Sequence, residues 1–251
     1  PSLQAVRQGS VLALANKESL VIGGAFLTQE ARRHRATLIP VDSEHSAVFQ
    51  CLAGERPEEV SRIFLTASGG PFRTRPKETF PDITPEEALS HPTWSMGKRI
   101  TIDSATMMNK GLEIIEAYWL FGVDLSRIQV VVHPQSIVHS MVEFRDMSIK
   151  AQLGVPDMRS AIAYALSWPS RMELDLKPLD PAAMKKLEFF PPDEEKFPAL
   201  ELARASMEQP RTLPCVMNAA DETAVDGFLK RRIRFDGIID IVRKTMDKLA
   251  G

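Results

Sequence analysis

At 251 residues the chain is long enough to bury a sizeable core in one or two domains. Its 31 basic and 33 acidic side chains leave a net charge of −2, which gives no electrostatic footprint for nucleic acid. Hydrophobic residues make up 44% and charged residues 25%, as in an ordinary enzyme core, and no apolar run approaches the roughly 18 residues of a membrane span.

Residues 1–40 alternate helix, strand, helix and strand, the pattern expected at the tail of a doubly wound domain. The first strand is VLALANK; Gly23 and Gly24 fall inside a helical pattern, and His34 in ARRHRA reads as surface. TLIPVDSEHSAVFQCL then predicts a buried strand from Thr37 to Val41, a polar turn and a helix. Asp42 and Glu44 are two apart, so in an extended chain their carboxylates leave one face. The alternative is an ordinary helix start, with Asp42 as N-cap and Glu44 favoured in the first turn by the helix dipole. His45 points away from a metal if Glu44 points in. Cys51 sits at an apolar helical position, and with Cys215 as the only other cysteine neither a disulfide framework nor a zinc site is indicated.

A strand near 62–67 leads to a stretch rich in proline, threonine and charge around TPEEALSH. A long segment of this kind, opening on Gly69-Gly70 and with its aromatics read as exposed, is expected to be a mobile lid. RITIDS predicts a strand at 99–103, closed by Ser104 and running straight into the amphipathic helix MMNKGLEIIEAYWLF. On that helix Asn109, Lys110 and Glu113 share one side near the N-terminus. Unpaired N–H groups, a lysine and a hydroxyl there make an anion site, although Lys110 and Glu113 could equally pair in solvent. With Glu113 as a third carboxylate, Asp42 and Glu44 suit a hard divalent cation, Mg²⁺ or Mn²⁺, in an all-oxygen site. Strands follow near 128–133 and, as a hairpin turning near Arg145-Asp146, at 138–153. His133 and His139 read as satisfied structural histidines, or as support for the site from behind. The prolines of 168–198 mark a linker, and packed helices follow from Ala199; KRRIR (230–234) reads as a solvated helix end.

Six segments, LANKESLV (14–21), PVDSEHSAVFQCL (40–52), ASGGPFR (67–73), HPTWSMGKRITIDSATMMNKGLEIIEA (91–117), VVVHPQSIVHSMVEF (130–144) and AQLGVPDMRSAIAYAL (151–166), resemble the 1-deoxy-D-xylulose 5-phosphate reductoisomerase family, in the family's order. NAADETAVDGFL (218–229) is a looser match. The resemblance implies that Asp42, Glu44 and Glu113 are metal ligands. It implies that Lys17, Ser43, Glu44, Ser68, His91, Trp94, Ser104, Asn109, Lys110, Glu113 and Met158 meet substrate. Of these, Ser68, Ser104, Asn109 and Lys110 serve chiefly the phosphate. Asn16, Glu18, Met96 and Gly97 match cofactor positions, Trp94 and Met96 belong to a flap, and Lys17 and Glu44 are the catalytic candidates.

The implied activity is NADPH-dependent conversion of 1-deoxy-D-xylulose 5-phosphate to 2-C-methyl-D-erythritol 4-phosphate, an isoprenoid precursor. The implied course is a retro-aldol/aldol rearrangement with Mg²⁺ or Mn²⁺ (or Co²⁺) as Lewis acid, followed by reduction. The implied fold is α/β: an α+β catalytic domain with a mixed sheet, a C-terminal helical domain, and the remnant of a doubly wound nucleotide domain. The expected boundaries are 1–40 for that remnant, 41–168 for the catalytic domain with its flap at 69–98, 169–198 for the linker and 199–251 for the helices. No Gly-rich phosphate-binding turn opens the chain, which reads as a fragment inactive as a reductase on its own and prone to self-association. The full-length protein is expected to be a homodimer, cytoplasmic or plastid, with no nucleic-acid or membrane partner. Two rival classes are a non-redox metal-dependent phosphosugar enzyme, which needs no nucleotide domain upstream, and a non-catalytic module, which has no metal dependence.

Overall fold

The computed structural model describes residues 1–94, 96–208 and 212–249. In chain order its elements are α1 (Ser2–Arg7), β1 (Val11–Leu14), α2 (Glu18–His34), β2 (Thr37–Pro40), α3 (Ser43–Cys51), β3 (Val60–Ala67), α4 (Pro85–Ala88), α5 (Lys98–Ala105), α6 (Met108–Phe121), β4 (Ile128–Val132), β5 (Val138–Phe144), β6 (Ile149–Leu153), α7 (Met158–Ser167), α8 (Ala199–Glu208), α9 (Leu213–Leu229) and α10 (Asp236–Leu249). They fall into two compact units, Pro1–Ser68 with Glu116–Pro191, and Gly69–Ile115 with Pro192–Gly251.

In the first unit β1 and β2 pair in parallel, Val11 opposite Thr37 and Leu14 opposite Pro40, with α2 as the crossover. Val6, Leu14, Leu20, Leu27 and Ala31 form a buried cluster against which Trp119 packs. Gly24 has to be glycine in this contact, because a Cβ would lie 2.2 Å from the Trp119 indole. The second sheet is mixed, in the order β4-β3-β5-β6: β3 runs parallel to β4 and antiparallel to β5, and β5 and β6 form an antiparallel hairpin. β3 (VSRIFLTA) and β5 (VHSMVEF) are rich in β-branched and aromatic residues and are mostly buried, as central strands covered on both faces are. The hairpin turns at the predicted place, where Asp146 Oδ1 accepts the Ser148 N–H at 3.0 Å. α3 packs on β5 and β6, and α7 on α3. His133 is structural: its Nδ1 lies 2.8 Å from the Glu188 carbonyl and its ring stacks on Phe189.

The second unit is built on aromatic packing and corrects two expectations. Phe72 and Phe80, expected to be exposed on a lid, are buried among Phe197, Phe228 and Phe235, with Phe72–Phe235 and Phe80–Phe235 centroid distances of 5.2 and 5.5 Å. Ile83 and Ala88 are buried as well, and α4 is closed by a capping box between Thr84 and Glu87. Residues 70–89 are therefore anchored to the core through Phe72, Phe80, Ile83 and Ala88, while their charged side chains, such as Lys77 and Glu78, stay exposed.

The second correction is the strand expected at 99–103, which is the helix α5. Ile-Thr-Ile has high strand propensity, but the Thr101 hydroxyl is satisfied locally by donating to the Gly97 carbonyl at 2.8 Å. Arg99 also fastens the helix to α9, donating to Asn218 Oδ1 at 2.8 Å and approaching Asp221 at 3.4 Å. Tertiary anchoring outweighs a local preference worth under about 1 kcal/mol per residue. Ser104 accordingly lies inside α5, and a left-handed residue, Met107 (φ 63), breaks the chain before α6.

Asp221 is fully buried beside this clamp. Burial raises its carboxyl from 3.8 to about 6, against the lowering pull of Arg99 and Asp103. A carboxyl whose folded value lies above its unfolded one keeps its proton longer in the native state, so it makes stability fall as pH rises through that interval. Asp221→Asn should flatten the pH dependence of urea unfolding between about pH 4 and 6. An unchanged slope would exclude Asp221 as its source.

Candidate metal and substrate site

In the first unit the site residues gather where two strands give way to helices. Lys17 is the N-cap of α2 and is buried, with Asn16 exposed and Glu18 half-buried on either side. Asn16 Oδ1 accepts from the Ser19 backbone N–H at 3.1 Å and hydroxyl at 2.8 Å, so Asn16 supplies the cap that Lys17 cannot. Asp42 occupies the N-cap position of α3, yet its carboxylate makes no capping hydrogen bond and instead forms an ion pair with Lys17. Burial opposes its ionisation, but the Lys17 ammonium and His45 outweigh burial and hold the carboxyl well below the usual range. Glu44, in the first turn, accepts the Ser43 hydroxyl on Oε2 at 2.8 Å. Asp42 and Glu44 each offer an oxygen, and these lie within 4.8 Å of one another. Ser68 is half-buried just past the end of β3, and Met158 is exposed at the start of α7, after the N-cap Asp157.

His45 joins this group from outside the expected set of site residues. Instead of pointing away, its buried Nδ1 lies 3.2 Å from Glu116 Oε2 and 4.0 Å from Asp42 Oδ1. The signal was present in the spacing, because Asp42 and His45 are three apart, as residues on one helix face are.

The second unit holds the other candidates. Asn109, Lys110 and Glu113 meet as their spacing predicts: Asn109 Nδ2 donates to Glu113 Oε1 at 2.5 Å, and Lys110 pairs with Glu113 Oε2. This is not a pair in solvent, because Lys110 is 4% and Glu113 0% exposed. A buried pair of this kind must be well satisfied, since loss of either partner leaves an uncompensated charge, at a cost of about 3–5 kcal/mol. Ser104 is half-buried in the last turn of α5, where Gly70 (φ +66) lies so close that a Cβ would sit 2.7 Å from the Ser104 carbonyl. His91 Nδ1 accepts two backbone N–H groups, from Thr93 at 3.1 Å and Trp94 at 2.9 Å, which ties the HPTW turn to one ring nitrogen. Burial lowers the His91 pKa, in keeping with a neutral acceptor. Trp94 and Met96 are half-buried, and Gly97 is the extended, exposed N-cap of α5.

All three candidate metal ligands are carboxylates, the donor set of a hard divalent cation. The hydroxyl, amide and ammonium donors of Ser68, Ser104, Asn109 and Lys110 suit a phosphate.

Family models described as the 1-deoxy-D-xylulose 5-phosphate reductoisomerase C-terminal domain and the DXP reductoisomerase C-terminal domain match residues 38–121 and 153–250. A 1-deoxy-D-xylulose 5-phosphate reductoisomerase from Prosthecochloris aestuarii is 56% identical over 246 residues, covering 98% of this chain and 64% of that protein. One from Ralstonia nicotianae is 53% identical over 253 residues, covering 100% and 64%. Among solved structures, the Zymomonas mobilis reductoisomerase in complex with NADPH aligns with a TM-score of 0.92 at 50% identity, over 100% of this chain and 65% of that one. A DOX-P reductoisomerase in complex with NADPH, fosmidomycin and magnesium aligns with a TM-score of 0.95 at 42% identity, over 99% and 63%. The chain thus spans about two thirds of the length of the relatives it matches. Both family models and these relatives agree with the residue pattern read above, and the chain belongs to the 1-deoxy-D-xylulose 5-phosphate reductoisomerase family.

Proposed function

We propose that this chain is the metal- and phosphate-binding part of an enzyme that rearranges and reduces 1-deoxy-D-xylulose 5-phosphate to 2-C-methyl-D-erythritol 4-phosphate with NADPH. The observation that carries the reading is Asp42: it occupies a cap position, makes no cap, and is kept ionised by a buried lysine. The relatives bear the name of this activity, and one aligned structure is a complex with NADPH, fosmidomycin and magnesium.

In this reading Asp42, Glu44 and Glu113 hold Mg²⁺ or Mn²⁺ (or Co²⁺). When bound, the cation supplies Lewis-acid stabilisation of substrate oxygens and NADPH supplies the hydride. Lys17 and Lys110 are each paired with one of these carboxylates here, as counter-ions that a cation can replace. Released from Glu113, Lys110 joins Ser68, Ser104 and Asn109 on the substrate phosphate. Lys17, released from Asp42 and flanked by Asn16 and Glu18, turns to substrate beside the nicotinamide, with Met96 and Gly97 on the cofactor. Glu44 exchanges a proton with a substrate hydroxyl, taking the place that the Ser43 hydroxyl fills here. Met158 lines the pocket and His91 contacts substrate. Trp94 closes over it and excludes water, with phosphate binding remote from the reacting carbons driving closure.

The domain reading that goes with this is a catalytic domain at 41–168 between a nucleotide-domain segment and C-terminal helices. The full-length protein acts as a homodimer in cytoplasm or plastid. Support for self-association comes from the edge strand β6, which leaves Ile149 52% and Leu153 40% exposed. No helix among the described residues is long and apolar enough to cross a membrane.

Glu113→Gln should weaken Mn²⁺ binding about 10-fold or more in titration calorimetry. Unchanged affinity with the fold intact refutes the three-carboxylate assignment, and no NADPH oxidation by the full-length protein with this substrate and Mn²⁺ refutes the reaction.

The His91 turn yields a second expectation. Because the folded pKa of His91 is depressed, the neutral, turn-holding form contributes stability above pH 6.5 that is lost as pH falls through its folded value. In a Trp119→Phe, Trp168→Phe background, Trp94 emission should shift on acidification, and His91→Leu should abolish the shift. The same titration in the His91→Leu protein would show that another group controls the turn.

A further inference from the structure

His45 and Glu116 have no part in the proposed chemistry, yet both side chains are 0% exposed and lie against a candidate ligand. The His45 ring has little freedom. Its plane is fixed by stacking on Phe121, with centroids 6.2 Å apart and planes 8° from parallel. Its Nδ1 lies 3.2 Å from Glu116 Oε2 and 4.0 Å from Asp42 Oδ1. Asp42 is therefore approached on two sides: its Oδ2 pairs with Lys17, and its Oδ1 faces the imidazole.

The two neighbours differ in kind. Lys17 carries a flexible chain whose ammonium can leave when a cation arrives. His45 is wedged between an aromatic ring and a buried carboxylate, and its short, fully buried side chain has no comparable freedom. We propose that Glu116 and His45 are positioning residues: Glu116 orients the imidazole, and the imidazole holds the Asp42 carboxylate so that Oδ2 stays turned toward the cation once Lys17 has moved. This rests on the reading of Asp42 as a metal ligand. It extends to a second layer the rule that groups behind a ligand set its orientation, where mutation typically lowers metal affinity about 10–100-fold.

The test is Mn²⁺ binding to the purified chain, by calorimetry and by the Mn²⁺ electron paramagnetic resonance spectrum, with thermal unfolding followed in parallel. Asp42→Asn serves as the reference for the metal reading. Glu116→Gln and His45→Leu should each weaken Mn²⁺ binding about 10-fold or more, and His45→Asn, which keeps an N–H near the Nδ1 position, should recover most of that loss. Glu116→Gln should add little to the loss already caused by Asp42→Asn, because both act through one ligand. A merely structural pair would lower the unfolding temperature and leave affinity and spectrum unchanged. That outcome, with Asp42→Asn still weakening Mn²⁺, overturns the positioning role while the metal reading stands. No effect of Asp42→Asn overturns both. If Glu116→Gln fails to fold, the histidine variants decide: equal Mn²⁺ affinities for His45→Asn and His45→Leu overturn the proposal.

Discussion

A buried carboxylate has to be given a partner, and much of this molecule follows from meeting that demand repeatedly. Asp42 has Lys17 and His45, Glu113 has Lys110 and Asn109, Glu116 has His45, and Asp221 has Arg99. Burial of an ionised carboxylate without such partners costs several kcal/mol, more than any one local propensity. The pairs therefore decide conformation where local signals conflict. Arg99, drawn to Asn218 and Asp221, holds as a helix a segment whose side chains favour a strand. Lys17 takes the Asp42 carboxylate from the helix it would otherwise cap.

Paired charges of this sort are weak contributors to net stability, because desolvation cancels most of the Coulombic gain. Their value here is readiness. A carboxylate held ionised and in place by a lysine can trade that lysine for another cation at small reorganisation cost. The lysine it releases is then available to an anionic ligand. The Lys17–Asp42 pair lies in the first unit and the Lys110–Glu113 pair in the second.

The scaffolds beneath the pairs solve different problems. In the first unit the central strands β3 and β5 are covered on both faces, and close backbone approach at Gly24 seats α2 on Trp119. In the second unit a proline- and charge-rich stretch that would be a loose loop by composition is held by Phe72 and Phe80 in an aromatic cluster. Edge-to-face aromatic pairs add about 0.5–1.5 kcal/mol each beyond area burial, enough to order an otherwise irregular segment. What is left outside the cluster is the short turn governed by His91.

The sequence by itself determined the features that depend on short-range spacing. The helix–strand–helix–strand opening, the hairpin at Arg145-Asp146, and the meeting of Asn109 and Lys110 with Glu113 all follow from periods of two or 3.6 residues. The family likewise was readable in the unbroken run from His91 to Ala117. Tertiary structure alone decided the rest, because the forces involved join residues far apart in the chain. Whether Asp42 caps its helix depends on Lys17, 25 positions earlier. Whether Ile100-Thr101-Ile102 is strand or helix depends on contacts with α9 more than a hundred residues later. Whether Phe72 and Phe80 are lid or core depends on Phe197 and Phe235. His45 shows both sides of this. Its place on the Asp42 face of α3 is a matter of helical spacing. Its partnership with Glu116, 71 residues on, exists only because folding brings α3 and α6 together.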